Sequence, residues 1–183
     1  MDNLERQIIT DILNGRTERF DYIVRQYGRR VFALIVRIVD CREDAEELVQ
    51  DTMVKAYSHL ADFKKSSSLA TWLYRIAYTT AISHARRTRA PETYIDEARL
   101  HDVTDADADA LLDGPADDHR TEALHRAINR LSPAERALVT LHYFDSLPLS
   151  EVARITDMTL SNVKVKLLRI RRKLYLMITD EQR

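Results

Sequence analysis

Glycine and proline are scarce, 3 and 4 in 183 residues. Chains that reverse often use more of both, so long helices are predicted rather than many-stranded sheets. A single cysteine, Cys41, excludes an intrachain disulfide and supplies no zinc-ligand set. The longest apolar run, Val31–Val36, falls far short of the ~20 residues of a membrane-spanning helix. The opening MDNLERQ carries no signal-peptide pattern. These absences predict a soluble, cytoplasmic protein with no direct membrane insertion. Catalytic signatures are missing too. The chain has no Walker A loop, no GxGxxG, no GxSxG and no HExxH, and its 6 histidines are scattered. Asp105, Asp107 and Asp109 open like a calcium loop, but Ala110 and Ala116 stand where that loop needs Gly and Glu. No enzymatic activity, cofactor, metal or small-molecule substrate is expected.

What is present is apolar patterning and segregated charge. The chain is 45% hydrophobic and 31% charged, enough to build one or two small domains. Its net charge of −1 hides three blocks. Residues 1–90 carry 15 basic and 12 acidic side chains, residues 91–120 carry 2 and 10, and residues 121–183 carry 11 and 7. Two mildly basic blocks therefore flank an acidic one, and the whole-chain value is no argument against a nucleic-acid partner. We divide the chain into an N-terminal helical domain (1–90), an acidic linker (91–120) and a C-terminal domain (121–183). The fold class is all-α: two small helical domains joined by a flexible acidic linker.

The basic helix predicted over Thr159–Met177 makes the strongest local claim. Leu160, Val163, Leu167, Ile170, Leu174 and Met177 recur at three- and four-residue steps, one stripe along a helix. Lys164, Lys166, Arg169, Arg171, Arg172 and Lys173 stand between them, with no acid from Met158 to Thr179. Thr159 suits the N-cap. A shorter helical pattern precedes it at Ser150–Ile155, and Thr156–Asp157–Met158 breaks the two. Ala153 allows close approach, and Asp157 tolerates positive φ at the turn. Together these read as a helix-turn-helix. The alternative is an amphipathic helix with a solvated basic face.

Upstream, Leu4, Ile8, Ile12 and Leu13 mark a first helix that ends near Asn14–Gly15. A second runs from about Glu18 to Ile38, with Gly28 inside it. A third follows Asp40–Cys41–Arg42–Glu43. Its apolar face is Ala45, Leu48, Val49, Thr52, Met53, Ala56, Tyr57 and Leu60. Its other face carries Glu43, Glu46, Glu47, Gln50, Asp51 and Val54, either a dipole-matched solvated surface or a docking face. The loop Phe63–Ser68 leads to a fourth helix, about Leu69 to Arg87. From Phe63 to Pro91 there are six Lys or Arg and no acid. Thr71, Tyr74, Arg75, Tyr78 and Thr79 fall off its core stripe, and aromatics beside cations suit single-stranded nucleic acid. The alternative is that Trp72 and the tyrosines fill the core. The linker offers one short helix, near Ala108–Leu112. Beyond it, Leu124–Leu131 is followed by Ser132 as N-cap, Pro133 at the first helical position and Glu135 at the third. Asp145–Pro148 ends that helix.

Three stretches, in this order, resemble the extracytoplasmic-function subgroup of bacterial RNA polymerase sigma factors. DAEELVQDTMVKAY (Asp44–Tyr57) is similar to the family's polymerase-docking helix. TWLYRIAYTTAISHARR (Thr71–Arg87) is similar to its promoter-melting, −10-reading helix. Leu131–Leu174 resembles its −35-reading domain. The resemblance implies a chain that binds the β and β′ subunits of core RNA polymerase through Asp44, Glu47, Leu48, Gln50, Asp51 and Val54. It implies −10 contacts from Lys64, Lys65, Ser66, Ser67, Thr71, Trp72, Tyr74, Arg75, Tyr78 and Thr79. It implies −35 contacts from Thr159, Ser161, Asn162, Lys164, Lys166, Arg169 and Arg172. Promoter DNA and an anti-sigma factor are the further partners implied. Thr79 and Ser83 depart from the family's frequent Asn and Asp, and Thr156–Asp157 from its usual Leu-Gly. The rival reading is a free-standing helix-turn-helix regulator that binds duplex DNA without polymerase; a purely protein-binding helical adaptor is a third.

Overall fold

A computed structural model describes residues 3–39, 41–64, 67–88, 97–108 and 118–181. The described residues form helices and turns, with no strand. In the N-terminal part, α1 (Asn3–Leu13) ends at Gly15, whose φ of +93° is open to glycine and costly for most other residues. A single 3₁₀ turn at Thr17–Arg19 leads into α2 (Phe20–Ile38). Then come α3 (Arg42–Ser58) and α4 (Leu69–Thr88). The expected helices are present within a few residues of their predicted ends.

Helix α2 is the common wall. It buries Ile23, Tyr27, Val31, Leu34, Ile35 and Ile38 along its length, and α3 and α4 both pack on it. Two apolar clusters share that wall. The smaller gathers Ile8, Ile9 and Ile12 of α1 with Ile23, Tyr27, Ala56, Leu60, Phe63, Leu69 and Leu73.

The larger cluster crosses the linker. It joins Leu34, Ile38, Leu48, Tyr74, Ala77 and Tyr78 to Leu131, Leu138, Leu141, Ile155, Val163 and Ile170. The C-terminal part consists of α6 (Asp118–Asn129), α7 (Pro133–Val139), a π-helical turn at Thr140–Phe144, α8 (Leu149–Thr156) and α9 (Leu160–Glu181). Helix α7 starts where the sequence predicts. The Ser132 hydroxyl accepts the Glu135 N–H at 3.3 Å, and the Glu135 carboxylate accepts the Ser132 N–H at 2.8 Å. Arg136, buried, donates through Nη2 to the Ile38 carbonyl at 3.0 Å, satisfying the end of α2 from the other domain. The Arg37 guanidinium lies 4.0 Å from the centre of the Phe144 ring. Both domains therefore share one core.

The linker departs from its expectation. It contains α5 (Glu97–Asp102), a helix with no strong periodic signal, and this segment packs on α9. Arg99 donates to both carboxylate oxygens of Asp180, at 2.8 and 2.9 Å. Val103 and Ala108 are buried. Of the helix expected at Ala108–Leu112, all but Ala108 lies outside the described residues.

Candidate functional site

Three surfaces carry the predicted contacts. The first is the polar face of α3. Glu47, Gln50 and Asp51 are exposed, and Val54 is 64% exposed despite being apolar. Asp44 is partly covered and lies 3.2 Å from His84 Nε2 on α4. The Cys41 thiol donates to Glu43 at 3.0 Å; that bond, ahead of its own backbone N–H, holds the Glu43 carboxyl below its ordinary range. Leu48, grouped with the docking residues, is 4% exposed and belongs to the core, because it lies on the stripe that meets α2. The sequence reading missed Tyr57 and Val24. Tyr57 is exposed and meets Phe20 edge-on at 5.2 Å, and Val24, one turn further along α2, is exposed as well. Tyr57, one turn from Val54 on α3, adds a second large apolar residue facing water on that side of the helix.

The second surface is the start of α4. Ser68 caps the helix: its hydroxyl oxygen accepts the Thr71 N–H at 3.0 Å. Trp72 is partly buried against Phe63, with ring centres 5.2 Å apart. Lys64, Arg75 and Thr79 are exposed and Ser67 partly so, whereas Lys65 and Ser66 lie outside the described residues. The expectation that Thr71, Tyr74 and Tyr78 face solvent is wrong for this state. They are 4%, 6% and 8% exposed. Helix α8 packs along α4 and meets Thr71, and Tyr74 and Tyr78 belong to the larger cluster, to which both domains contribute. The Thr71 hydroxyl donates to Glu151 of α8 at 3.0 Å, and Arg75 Nη2 reaches Asp157 at 3.1 Å. Tyr74 is enclosed beside Asp145. Burial first, then the Asp145 charge and hydrogen bond, push its phenol up to about 12 against the pull of Arg30. Burial raises Tyr78 as well, opposed by Arg86.

The third surface is the outer face of α9. Thr159 is its N-cap, accepting the Asn162 N–H at 3.2 Å. Asp157 holds the turn at φ 58°, ψ 38°, the left-handed conformation for which an Asp stands in for Gly. Thr159, Ser161, Asn162, Lys164, Lys166 and Arg169 are exposed. Arg172 is not open to a phosphate here: Asp105 of the linker accepts from its Nε at 3.0 Å and its Nη2 at 2.8 Å. Lys173 is engaged by Glu135 at 3.0 Å. Two exposed apolar residues on this helix, Leu160 and Val165, were not among the predicted contacts.

Residues 23–90 match the sequence model of sigma-70 region 2, and residues 121–174 match that of sigma-70 region 4. The RNA polymerase sigma-H factor of Pseudomonas aeruginosa is 30% identical over 181 residues, covering 91% of this chain and 90% of that protein. The chain belongs to the sigma-70 family. Within it, the extracytoplasmic-function subgroup is the right one. The ECF RNA polymerase sigma-E factor of Escherichia coli K12 is 29% identical over 177 residues, covering 93% and 92% of the two chains. Two solved structures share the fold of this sigma factor. CnrH in complex with the cytosolic domain of CnrY superposes with a TM-score of 0.65 at 20% identity, covering 96% of this chain and 97% of that one. The sigma factor RpoE bound to the anti-sigma factor NepR from Bartonella quintana gives 0.57 at 20% identity, covering 87% and 96%. The region 2 match contains α3 and α4; the region 4 match contains α7, α8 and the cationic part of α9.

Proposed function

We propose that this sigma factor docks on core RNA polymerase through the α3 face, reads the −10 element from the loop before α4 and from α4 itself, and reads the −35 element with α9. The docking residues are Asp44, Glu47, Gln50, Asp51 and Val54, joined by Tyr57. Ser161, Asn162 and Lys164 stand at the N-terminal end of α9, where a groove-inserted helix meets base edges. Lys166 and Arg169 meet phosphate, fixing register more than sequence. It performs no chemistry of its own and works in the cytoplasm, and an anti-sigma factor, such as the one bound to RpoE from Bartonella quintana, is a further partner.

The observation that carries this reading is the exposed acidic and apolar face of α3 on the same chain as an exposed basic reading helix. A free-standing regulator has use for the second and not the first. Geometry then adds a requirement. Elements centred 25 base pairs apart lie about 85 Å apart along B-form DNA. A packed chain of this length has a radius of gyration of about 16 Å, and α4 touches α8. Both elements can be read at once only after α8 leaves α4. The 29 residues between Thr88 and Asp118 reach at most about 100 Å when extended, enough to span the gap. Domain separation also uncovers Thr71, Tyr74 and Tyr78 for the −10 strand.

In vitro transcription with purified core enzyme across a randomised promoter library tests the proposal. Added protein should give initiation restricted to promoters sharing two elements. Specific binding to duplex DNA without polymerase, and no stimulated initiation, would establish the regulator instead.

A further inference from the structure

Val165 is 51% exposed and stands on the side of α9 opposite the core. It follows the buried Val163 by two residues, about 200° around a helix. Ser161 lies one turn before it and Arg169 one turn after, both exposed. Asn162 and Lys164 flank that line and are exposed too. A β-branched residue in such a place leaves half its surface in water, and its helix propensity is below that of the lysines and arginines around it. Its chemistry is also unlike that of its neighbours. Serine, asparagine and lysine are hydrogen-bonding groups, suited to the polar edges of guanine and adenine. None of them matches the one apolar feature of the major groove, the C5 methyl of thymine.

We propose that Val165 is a specificity-determining residue of the promoter contact: its isopropyl group packs on the C5 methyl of a thymine in the −35 element. The residue thereby fixes both the identity and the strand orientation of one A·T pair. This rests on the assignment of α9 as the −35 reader. Asn162 and Lys164 choose polar edges on either side, and Val165 excludes cytosine, which lacks the methyl and presents an amino group in the groove.

The test uses holoenzyme reconstituted from the full chain and core RNA polymerase, on a promoter that this holoenzyme has selected from a randomised pool. Each thymine of the −35 element, on either strand, is replaced in turn by deoxyuridine, which removes only the methyl. With the wild-type chain, one replacement should lower initiation about fourfold, the size expected when one methyl leaves an apolar contact. Val165→Ala should transcribe the unmodified promoter less well and should no longer distinguish thymine from uracil at that position. Val165→Thr, which keeps one methyl of the branch, should retain part of the discrimination. Both variants are exposed substitutions on a helix that keeps its buried stripe, so folding is preserved. The proposal is overturned if every deoxyuridine is neutral for the wild type, or if Val165→Ala keeps the full thymine preference. Scrambling the whole −35 element separates the two levels. If scrambling is harmless, the assignment of α9 fails and Val165 with it. If scrambling abolishes initiation while uracils are neutral, α9 remains the reader and only the role of Val165 falls.

Discussion

Replacing Glu151 with alanine should open the two domains. Glu151 accepts the Thr71 hydroxyl at 3.0 Å across the α4–α8 contact. A hydrogen bond to a charged group is worth about 1.5–3 kcal/mol, and the lower end applies because Glu151 is only partly covered. The Thr71 hydroxyl is not orphaned by the change, since the Ser68 hydroxyl lies 2.7 Å away. The nearby Arg75–Asp157 pair is largely exposed and adds no more than about 1 kcal/mol. A loss of about 1.4 kcal/mol moves the closed–open equilibrium about tenfold toward open. While the closed state dominates, apparent affinity for core polymerase is reduced by the fraction that is open. Glu151→Ala should therefore bind core about tenfold more tightly, read by anisotropy of the labelled full-length chain. Hydrogen exchange of the Thr71–Ala81 amides in the free protein should accelerate in step. Glu151→Gln, which keeps an acceptor, should fall between. A melting curve controls for helix loss, because Glu151 also favours the first turn of α8. If α8 stays folded while affinity and exchange are both unchanged, the α4–α8 contact does not govern access.

Asp105→Ala should release Arg172 to contact phosphate. Binding of the full chain to a −35 duplex should tighten, and the slope of log K against log salt should steepen by about 0.9; an unchanged slope would contradict the linker's competition for that side chain. Lys164→Ala should cost about 1–3 kcal/mol of −35 discrimination while core binding is kept, and loss of core binding instead would mean that α9 has been misassigned. Glu135→Ala removes the carboxylate that accepts the Ser132 N–H and pairs with Lys173, while the Ser132 hydroxyl cap stays, and should cost about 1–2 kcal/mol of stability in urea unfolding. Burial alone would raise the Glu135 carboxyl, but the Ser132 N–H and Lys173 outweigh it and hold it below 4.5. A lowered folded value stabilises above the unfolded value and is lost as pH falls through the folded one. The wild-type melting temperature should thus drop more steeply below about pH 4.5 than that of Glu135→Gln.

Local chemistry was legible where it was self-contained. The capping box at Ser132, the N-cap at Thr159 and the left-handed Asp157 each depend on a few adjacent residues, and each stands where the sequence places it. The α3 face was legible because its stripe leaves one polar side. Contacts distant in sequence were not. Nothing near Tyr74 announces Asp145 as its neighbour, 71 positions on. Nor does the acidic linker announce that Asp105 will sit on Arg172 rather than in solvent. Its low apolar content reads as solvated chain, yet among the described residues Val103 and Ala108 are buried and Arg99 and Asp105 pair with α9. Val165 was legible in principle, as an apolar residue two steps off the stripe. It escaped notice because the surrounding cations dominated the pattern.

Helix α4 explains why the tyrosines were misplaced and why that matters. Its buried residues are Leu69, Thr71, Leu73, Tyr74, Ala77, Tyr78, Thr80, Ala81, Ile82 and Ala85. Those positions go most of the way around a helix, so no single stripe defines its inner face. One arc, with Leu69 and Leu73, meets the small cluster of the N-terminal domain; another, with Tyr74, Ala77 and Tyr78, meets the cluster shared with the C-terminal domain. The second arc packs in a cluster to which both domains contribute. On the proposed separation it presents two aromatic rings next to Arg75 and Arg86. That surface is poorly matched to water and well matched to unpaired bases, each of which gains about 1–3 kcal/mol by stacking on an aromatic side chain. Burial in the closed form is thus no evidence against a −10 role for Tyr74 and Tyr78. On the proposed reading, the same apolar area serves the C-terminal domain in the free chain and the melted strand in the open complex, so the two occupants exclude each other and promoter reading is tied to domain separation.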